Sequence, residues 1–424
     1  MLLTPEQLVS LALERSPETR ATWGNARAAA ANLGSARGSY FPDLTGSVSG
    51  NKLQTSATAG RVSVDQQTYG PSLSMTWLLF DFGGRSGEIG AARDALFVAD
   101  WNHNAMLSDV VRRTAQGYFA YVGARGLLEA QRLTLKQAEA NLAAAEDRRR
   151  VGVATISDVL QARTAVGQAR LAEQDAEGAE ASTHGALATL IGLAPTMPFG
   201  VDTTAASEPI TDLADAVDSL IARALVERPD LAAARALVDQ RRDQARALRS
   251  NMLPALNATG SGSRTFISGI TGGKNSYNVG LGISIPIFNG FGWQYAAQAA
   301  NLLADAEAAR VRSLEQQVSL QVFLTYQQLR TARQRVATSD DLFASASEAA
   351  DASRARYREG VGSLLELLNA EQALGSARAQ RVQARVEWHT SLVQLAHDAG
   401  LLEPNGGTRL QVTPARPPAP GSNR

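Results

Sequence analysis

The chain has no cysteine, which removes thiolate metal ligands, cysteine nucleophiles, disulfides and a lipid carried on an N-terminal cysteine. It has no excess of either charge: 41 Lys and Arg offset 41 Asp and Glu. The basic footprint of a nucleic-acid binder is therefore missing, and no nucleic-acid partner is expected. No run of apolar residues is long enough for a transmembrane helix, and Met1–Pro5 is too short for a signal peptide. Histidine is scarce, and His103, His184, His389 and His397 stand at no metal-ligand spacing. No metal, cofactor or catalytic constellation is expected. With these absences, the 424 residues are either soluble, in two or three domains, or a processed chain that meets a membrane without a hydrophobic helix.

What the sequence does contain is a copy of itself. Pro17 and Pro42 match Pro229 and Pro254, 212 residues on. From Tyr69 the offset becomes 208, pairing Tyr69 with Tyr277, Phe80 with Phe288, Gly84 with Gly292, Tyr118 with Tyr326, Gly152 with Gly360 and Gly192 with Gly400. Two tandem repeats are expected, 1–212 and 213–402. A proline-rich tail follows at 403–424, with too little apolar content to fold. The change of offset falls between positions 42 and 69 and belongs in a surface loop.

Each repeat reads as a helix, two strands and two long helices. In the first, a helix opens at Pro17, strands are expected at about 43–56 and 69–80, helices at about 84–147 and 157–191, and a connector at 192–212. In the second, strands fall at about 255–267 and 277–288, and helices at about 292–356 and 364–399. The strand periodicity is clearest where Val279, Leu281, Ile283, Ile285 and Ile287 alternate with Asn278, Gly280, Gly282, Ser284 and Pro286, and it recurs where Leu73, Met75, Trp77 and Leu79 alternate with Ser72, Ser74, Thr76 and Leu78. Half of the 24 aromatic residues lie in 40–82 and 266–295. Phe80, Phe82, Phe288 and Trp293, at strand ends, are candidates for a membrane aromatic belt. A soluble β-sandwich with aromatic corners is the alternative, but small polar and Gly residues at the other positions suit a hollow lumen better than a packed core.

The long helices lack proline, and sevens separate Tyr121, Leu128, Leu135 and Leu142, with Leu107 two sevens earlier; Val322, Leu329, Val336, Phe343 and Ala350 follow the same rule. That is a coiled-coil seam. The turns between the helices match across the repeats. Asp158 follows Thr155 by three residues and Glu366 follows Ser363 by three, the spacing of a capping box. The same two carboxylates, repeated by symmetry, are candidates for a ring at a pore mouth. Gly272-Gly273-Lys274-Asn275 departs from a phosphate-loop pattern and reads as a loop tip between strands.

Taken together, residues 4–402 resemble a TolC-type outer-membrane factor, of the outer membrane efflux protein family. The resemblance rests on the tandem repeat, Ser16-Pro17-Glu18 and Arg228-Pro229-Asp230, Pro42 and Pro254, Leu79-Phe80-Asp81-Phe82-Gly83-Gly84 with Ile287-Phe288-Asn289-Gly290, and above all Arg356-Tyr357-x-x-Gly360-x-x-Ser363. It implies a mainly α fold with β structure. Four strands per protomer would make a trimeric, 12-stranded outer-membrane β-barrel, continued by a long periplasmic α-helical barrel. It implies a non-enzymatic exit duct of a tripartite export system, for type I protein secretion or small-molecule efflux. The implied partners are outer-membrane lipid, a periplasmic adaptor (membrane fusion) protein and an inner-membrane transporter of the ABC or RND type. By the same resemblance Asp158, Glu366, Arg356 and Tyr357 lie at the pore constriction or gate. Arg149, Gly152, Thr155, Gly360, Gly362 and Ser363 lie on the hairpin tips that meet the adaptor. Where a second acid often follows in the last hairpin, this chain has Asn369. Physics argues the same way: four strands leave two unpaired edges that hydrocarbon does not tolerate, and closed symmetry removes them. The rival reading is a soluble elongated coiled-coil scaffold.

Overall fold

The computed structural model describes residues 2–55, 64–203, 212–213, 216–402 and 412–413. The elements run β1 (Leu2–Leu3), α1 (Pro5–Arg15), α2 (Pro17–Gly38), β2 (Asp43–Thr55), β3 (Val64–Phe80), α3 (Gly84–Arg150), α4 (Ile156–Leu190), β4 (Gly200–Val201) and β5 (Asp212–Leu213). The second repeat continues with α5 (Val217–Glu227), α6 (Pro229–Ser250), β6 (Ala255–Ile267), β7 (Lys274–Ser284), α7 (Gly292–Arg358), α8 (Leu364–Asp398) and β8 (Val412–Thr413). The four helices of each repeat have the same lengths, 11, 22, 67 and 35 residues. The offset changes between Thr55 and Val64, in the β2–β3 connection, outside the described residues.

One compact unit comprises 23–102 and 232–313. Its sheet has the order β2-β3-β6-β7 with every neighbouring pair antiparallel. Register separates two faces cleanly. On one, Leu44 pairs Met75, Gly46 pairs Leu73, Trp77 pairs Ala258, and Leu281 pairs Ala258 from the other side. On the other, Thr45 pairs Ser74, Ser72 pairs Ser263, and Ser261 pairs Asn278. The polar face is stitched by hydroxyls, Ser47 to Ser72 at 2.8 Å and Ser263 to Ser276 at 2.7 Å. The apolar face is bare: Val279 is 83% exposed and Leu281 74%. Strand β7 stops at Ser284, four residues short of the expected 288, because β6 begins at Ala255 opposite Ser284 and Pro286 has no N–H to extend the ladder. Strand β3 starts earlier than the expected 69. Gly272 and Gly273 lie in the β6–β7 turn, as expected of a loop tip, whereas Lys274 and Asn275 already belong to β7 and pair with Thr265 and Arg264.

Corners between strand and helix repeat as well. The Asp81 carboxylate accepts from the Arg85 N–H at 2.5 Å, and Asn289 Oδ1 accepts from the matched Trp293 N–H at 3.3 Å. The Arg85 guanidinium donates to the Ser39, Leu78 and Leu79 carbonyls and lies 4.6 Å over the Tyr40 ring. Phe82 and Phe291 hold φ of 52° and 67°, beside Gly83 at 101° and Gly290 at 71°, so each corner spends one left-handed residue that is not glycine. Phe80 stacks edge-on to Phe82 and Phe288 to Phe291. All four are exposed, and Trp293 is half-buried.

The other unit comprises 1–22, 103–231 and 314–424. Its main core gathers Val9, Val111, Leu220, Leu231, Val318, Val322, Leu329, Val336, Trp388 and Leu395. The seam positions Val322, Leu329, Val336 and Ala350 are buried, as are Tyr121 and Leu128; Leu107, Leu135, Leu142 and Phe343 are half-buried. Short helices α1 and α5 precede the expected helices at Pro17 and Pro229. The sequence marks the first of them: Thr4 caps α1 with Pro5 at its first position, and Gln7 completes the box. The connector holds two short strands, β4 parallel to β1 and β5 antiparallel to β8. Apart from 412–413, the expected disordered tail at 403–424 lies outside the described residues.

Candidate functional site

Both helical turns are built from one recipe. Helix α3 ends where Gly152 adopts φ 80°; its N–H bonds the Arg149 carbonyl at 3.0 Å, and the Val153 N–H bonds the Arg148 carbonyl at 2.9 Å. Helix α7 ends likewise at Gly360, φ 79°, with N–H bonds from Gly360 to Tyr357 and from Val361 to Arg356. Each is a Schellman ending, in which a left-handed residue lets two following amides satisfy orphan carbonyls. Glycine is required there because a Cβ would strain that backbone.

The helix starts differ. Thr155 caps α4 with a full box: the Asp158 N–H donates to Thr155 Oγ1 at 3.2 Å, while the Thr155 N–H and hydroxyl both donate to Asp158 Oδ2, at 2.7 and 2.8 Å. Ser363 caps α8 with half a box. Its Oγ accepts from the Glu366 N–H at 3.1 Å, and no return bond forms. The Glu366 carboxylate instead lies 3.5 Å from Arg356 Nε. The capping box expected in both turns therefore closes only in the first. Glutamate is long enough to close such a box; here its carboxylate is turned to the arginine at the end of the preceding helix instead.

The two turns touch. Tyr357 is buried, 7% exposed, in a cluster with Ala145, Val159, Ala162, Leu364 and Leu367, so one core is shared by α3, α4, α7 and α8. The Arg148 guanidinium sits 4.4 Å from the Tyr357 ring centroid and donates to the Arg358 carbonyl at 3.2 Å. Arg149, Thr155, Gly152, Gly360 and Ser363 are exposed, and Gly362 is half-buried. Around them Val151, Val153, Ile156, Val361 and Leu365 leave half or more of their surface in solvent, a cluster of apolar side chains with no covering that sequence reasoning did not single out. Above the turns an open cleft of about 640 Å³ runs between α3, α4 and α8, lined by polar groups including Asn141, Gln161, Asn369 and Gln372.

Among the described residues no group of three or more His, Asp or Glu could hold a metal ion. His103 meets the Thr22 hydroxyl at 2.9 Å, His184 the Phe199 carbonyl at 3.1 Å and His397 the Asp398 carboxylate at 3.1 Å, while His389 stacks on Phe119. No helix of the described residues is long and apolar enough to cross a membrane. The surface suited to lipid is the bare face of the sheet.

A sequence model described as outer membrane efflux protein matches residues 8–193 and 220–401, both repeats in full register. The chain belongs to the outer membrane efflux protein family. It is 28% identical over 400 residues to Protein CyaE of Bordetella pertussis, covering 93% of this chain and 84% of that protein. To outer membrane protein OprJ of Pseudomonas aeruginosa it is 27% identical, covering 87% and 78%. A crystal structure of a membrane protein from Pseudomonas aeruginosa superposes with a TM-score of 0.84 at 25% identity, covering 93% of each chain. The chain is thus an outer-membrane protein, mostly helical with some sheet. It is the passive exit duct of a tripartite export system and not an enzyme.

Proposed function

We propose that three copies of this chain close into one duct, with twelve strands lining a hole through the outer membrane and the long helices extending it as an α-helical barrel into the periplasm. The observation that carries this is the four-stranded sheet, with an apolar face exposed, a hydroxyl-rich face opposite, and β2 and β7 each paired on one side only. Hydrocarbon penalises both open edges, and rotational symmetry joins β2 of one copy to β7 of the next. Three copies give a hollow barrel; two would give eight strands, whose side chains fill the interior. Phe80, Phe82, Phe288 and Trp293 then mark the membrane boundary. A particle mass of three chains in detergent is expected; a monomer would overturn the assembly.

In this reading the paired turns form the closed end. Asp158, Glu366, Arg356 and Tyr357 surround the constriction, and opening separates the Arg148–Tyr357 and Arg356–Glu366 contacts. A periplasmic adaptor seats on Arg149, Gly152, Thr155, Gly360, Gly362 and Ser363 with the apolar cluster around them, and an ABC- or RND-type inner-membrane transporter drives cargo through. The cargo is a polypeptide or a small molecule. Planar-bilayer recordings test the gate: Asp158→Asn with Glu366→Gln is expected to reduce cation preference and raise conductance. Unchanged currents would remove these residues from the gate.

A further inference from the structure

At two levels, the ion pairs that join the two helices of each hairpin occupy matched positions with their charges exchanged. In the first hairpin Glu146 on α3 pairs with Arg163 on α4 at 3.3 Å. At the 208-shifted positions Arg354 on α7 pairs with Glu371 on α8 at 2.5 Å. A second level repeats the exchange. Arg132 on α3 meets Glu173 and Glu177 on α4 at 3.4 and 3.7 Å, whereas Asp340 on α7 meets Arg381 and Arg385 on α8 at 2.5 and 3.6 Å. Five positions in one repeat thus carry the opposite sign in the other. Other levels do not follow suit: the Glu139–Arg170 pair has Ser347 and Arg378 at the matched sites.

Duplicated helices of equal length pose a pairing problem. Helices α3 and α7 are both 67 residues, α4 and α8 both 35, and their seams are apolar and alanine-rich. Packing alone therefore discriminates poorly between α3 against α4 and α3 against α8, within one chain or between chains. Charge does discriminate. Exchanging partners would set Glu146 against Glu371 and Arg132 against Arg381 and Arg385. On the other side it would set Arg354 against Arg163 and Asp340 against Glu173 and Glu177. Six attractions become six repulsions. The pairs of the first hairpin are the more exposed, Arg163 and Glu146 at 65% and 47% and Arg132 at 54%, and there a single pair stabilises a fold by little; Arg354 and Glu371 of the second, at 21% and 11%, are mostly buried. Their sign pattern matters more than their strength, because like-charge juxtaposition suppresses wrong partners.

We infer that this exchange of charge selects the correct helix partner in each hairpin and prevents the two repeats from trading helices as they fold. The inference needs no assumption about the trimer or the gate.

The full chain tests it with two variants of the first hairpin. The transposed variant, Glu146→Arg, Arg163→Glu, Arg132→Asp, Glu173→Arg and Glu177→Arg, keeps every pair within the hairpin but gives it the polarity of the second. The neutralised variant replaces the same five residues with Gln, removing the pairs without creating a match to the other repeat. If the pairs only stabilise, the transposed variant folds like the parent and better than the neutralised one. Partner selection gives the reverse order: the transposed variant yields roughly half or less of the folded outer-membrane protein obtained from the neutralised variant. Because the chain has no cysteine, a reporter pair Ala145→Cys with Ala370→Cys reads the exchange directly, since Ala370 is the counterpart of Ala162, which shares a core cluster with Ala145. Cross-linking of that pair is expected to rise several-fold in the transposed background over the parent. Transposed yield at or above the neutralised yield, or cross-linking no higher than in the parent, overturns the inference.

Discussion

Arg148 stacks its guanidinium 4.4 Å over the ring of Tyr357, joining the end of one repeat's long helix to the end of the other's. The contact breaks the symmetry of the duplication, because the residue matched to Tyr357 is Arg149, which is exposed. One repeat supplies a ring that fills the shared core and the other supplies the cation above it. Cation and ring attract most where water is displaced, and here the ring is 7% exposed.

Tyr357 accordingly should respond differently to its two truncations. Its hydroxyl is buried with no hydrogen-bond partner, so Tyr357→Phe removes an unsatisfied group and should leave stability equal or slightly higher. Tyr357→Ala empties the shared core and should cost about 3 kcal/mol. Thermal unfolding in detergent checks both, and a Phe variant as damaged as the Ala variant would contradict the burial argument.

The two helix caps make a second comparison. Thr155→Ala removes the acceptor of the Asp158 amide and leaves the carboxylate with the backbone bond alone; Ser363→Ala removes a single bond. A lost N-cap costs about 1 kcal/mol, and the fuller box should suffer more. Hydrogen exchange at the first turns of α4 and α8 is the measurement. Protection is expected to fall further at Asp158 than at Glu366, and equal losses would mean that the broken symmetry has no energetic consequence.

Much of this was legible beforehand, because a duplicated sequence is read twice. A weak helix or strand signal in one repeat is corroborated at the matched position, which is why the four long helices fall within three residues of their expected ends. Gly152 and Gly360 stood at matched positions in the turns, and the Thr155 box was visible because local chemistry decides it. Glu366 was not, since its carboxylate has a choice between the cap and Arg356 that only the tertiary turn resolves. Helices α1 and α5 both escaped: Ala216 gives α5 no capping side chain, and the Thr4–Gln7 box that marks α1 was not singled out. The exchanged ion pairs were in the sequence all along, but position and sign carry meaning only once helix faces are known.

The sheet offers a third test through neighbouring residues. Val279 lies on the apolar face and Asn278 on the hydroxyl face, in mid-strand of β7. Arg at 279 would face hydrocarbon and cost about 2–4 kcal/mol, whereas Arg at 278 would face the lumen and be tolerated. Val279→Arg is expected to reduce the fraction of protein inserted in outer membranes or lipid vesicles, with Asn278→Arg close to the parent. Equal insertion by the two variants would mean that the faces have been assigned wrongly.

Asp94 carries the last prediction. It is 6% exposed on α3, and burial, the largest influence, pushes its carboxyl above the usual range; the Arg93 guanidinium 3.5 Å away opposes this, while Asp243 and Asp239 on α6 add to it. The two helices are close there, since a Cβ on Gly87 would fall 2.8 Å from the Ala247 backbone nitrogen and 2.9 Å from the Asp243 carbonyl oxygen. A carboxyl whose folded value lies above its unfolded value disfavours the folded state when ionised, and that cost is relieved as pH falls through the folded value. Asp94→Asn should therefore raise Tm at pH 7 by the order of 1–2 °C, and the gain should shrink as the pH approaches 4. Gly87→Ala should lower Tm at every pH, because its clash is with backbone and is steric. Melting curves of both variants between pH 4 and 8 separate the two causes: a pH-independent gain for Asp94→Asn, or a loss at pH 7, would show that the Arg93 contact outweighs burial.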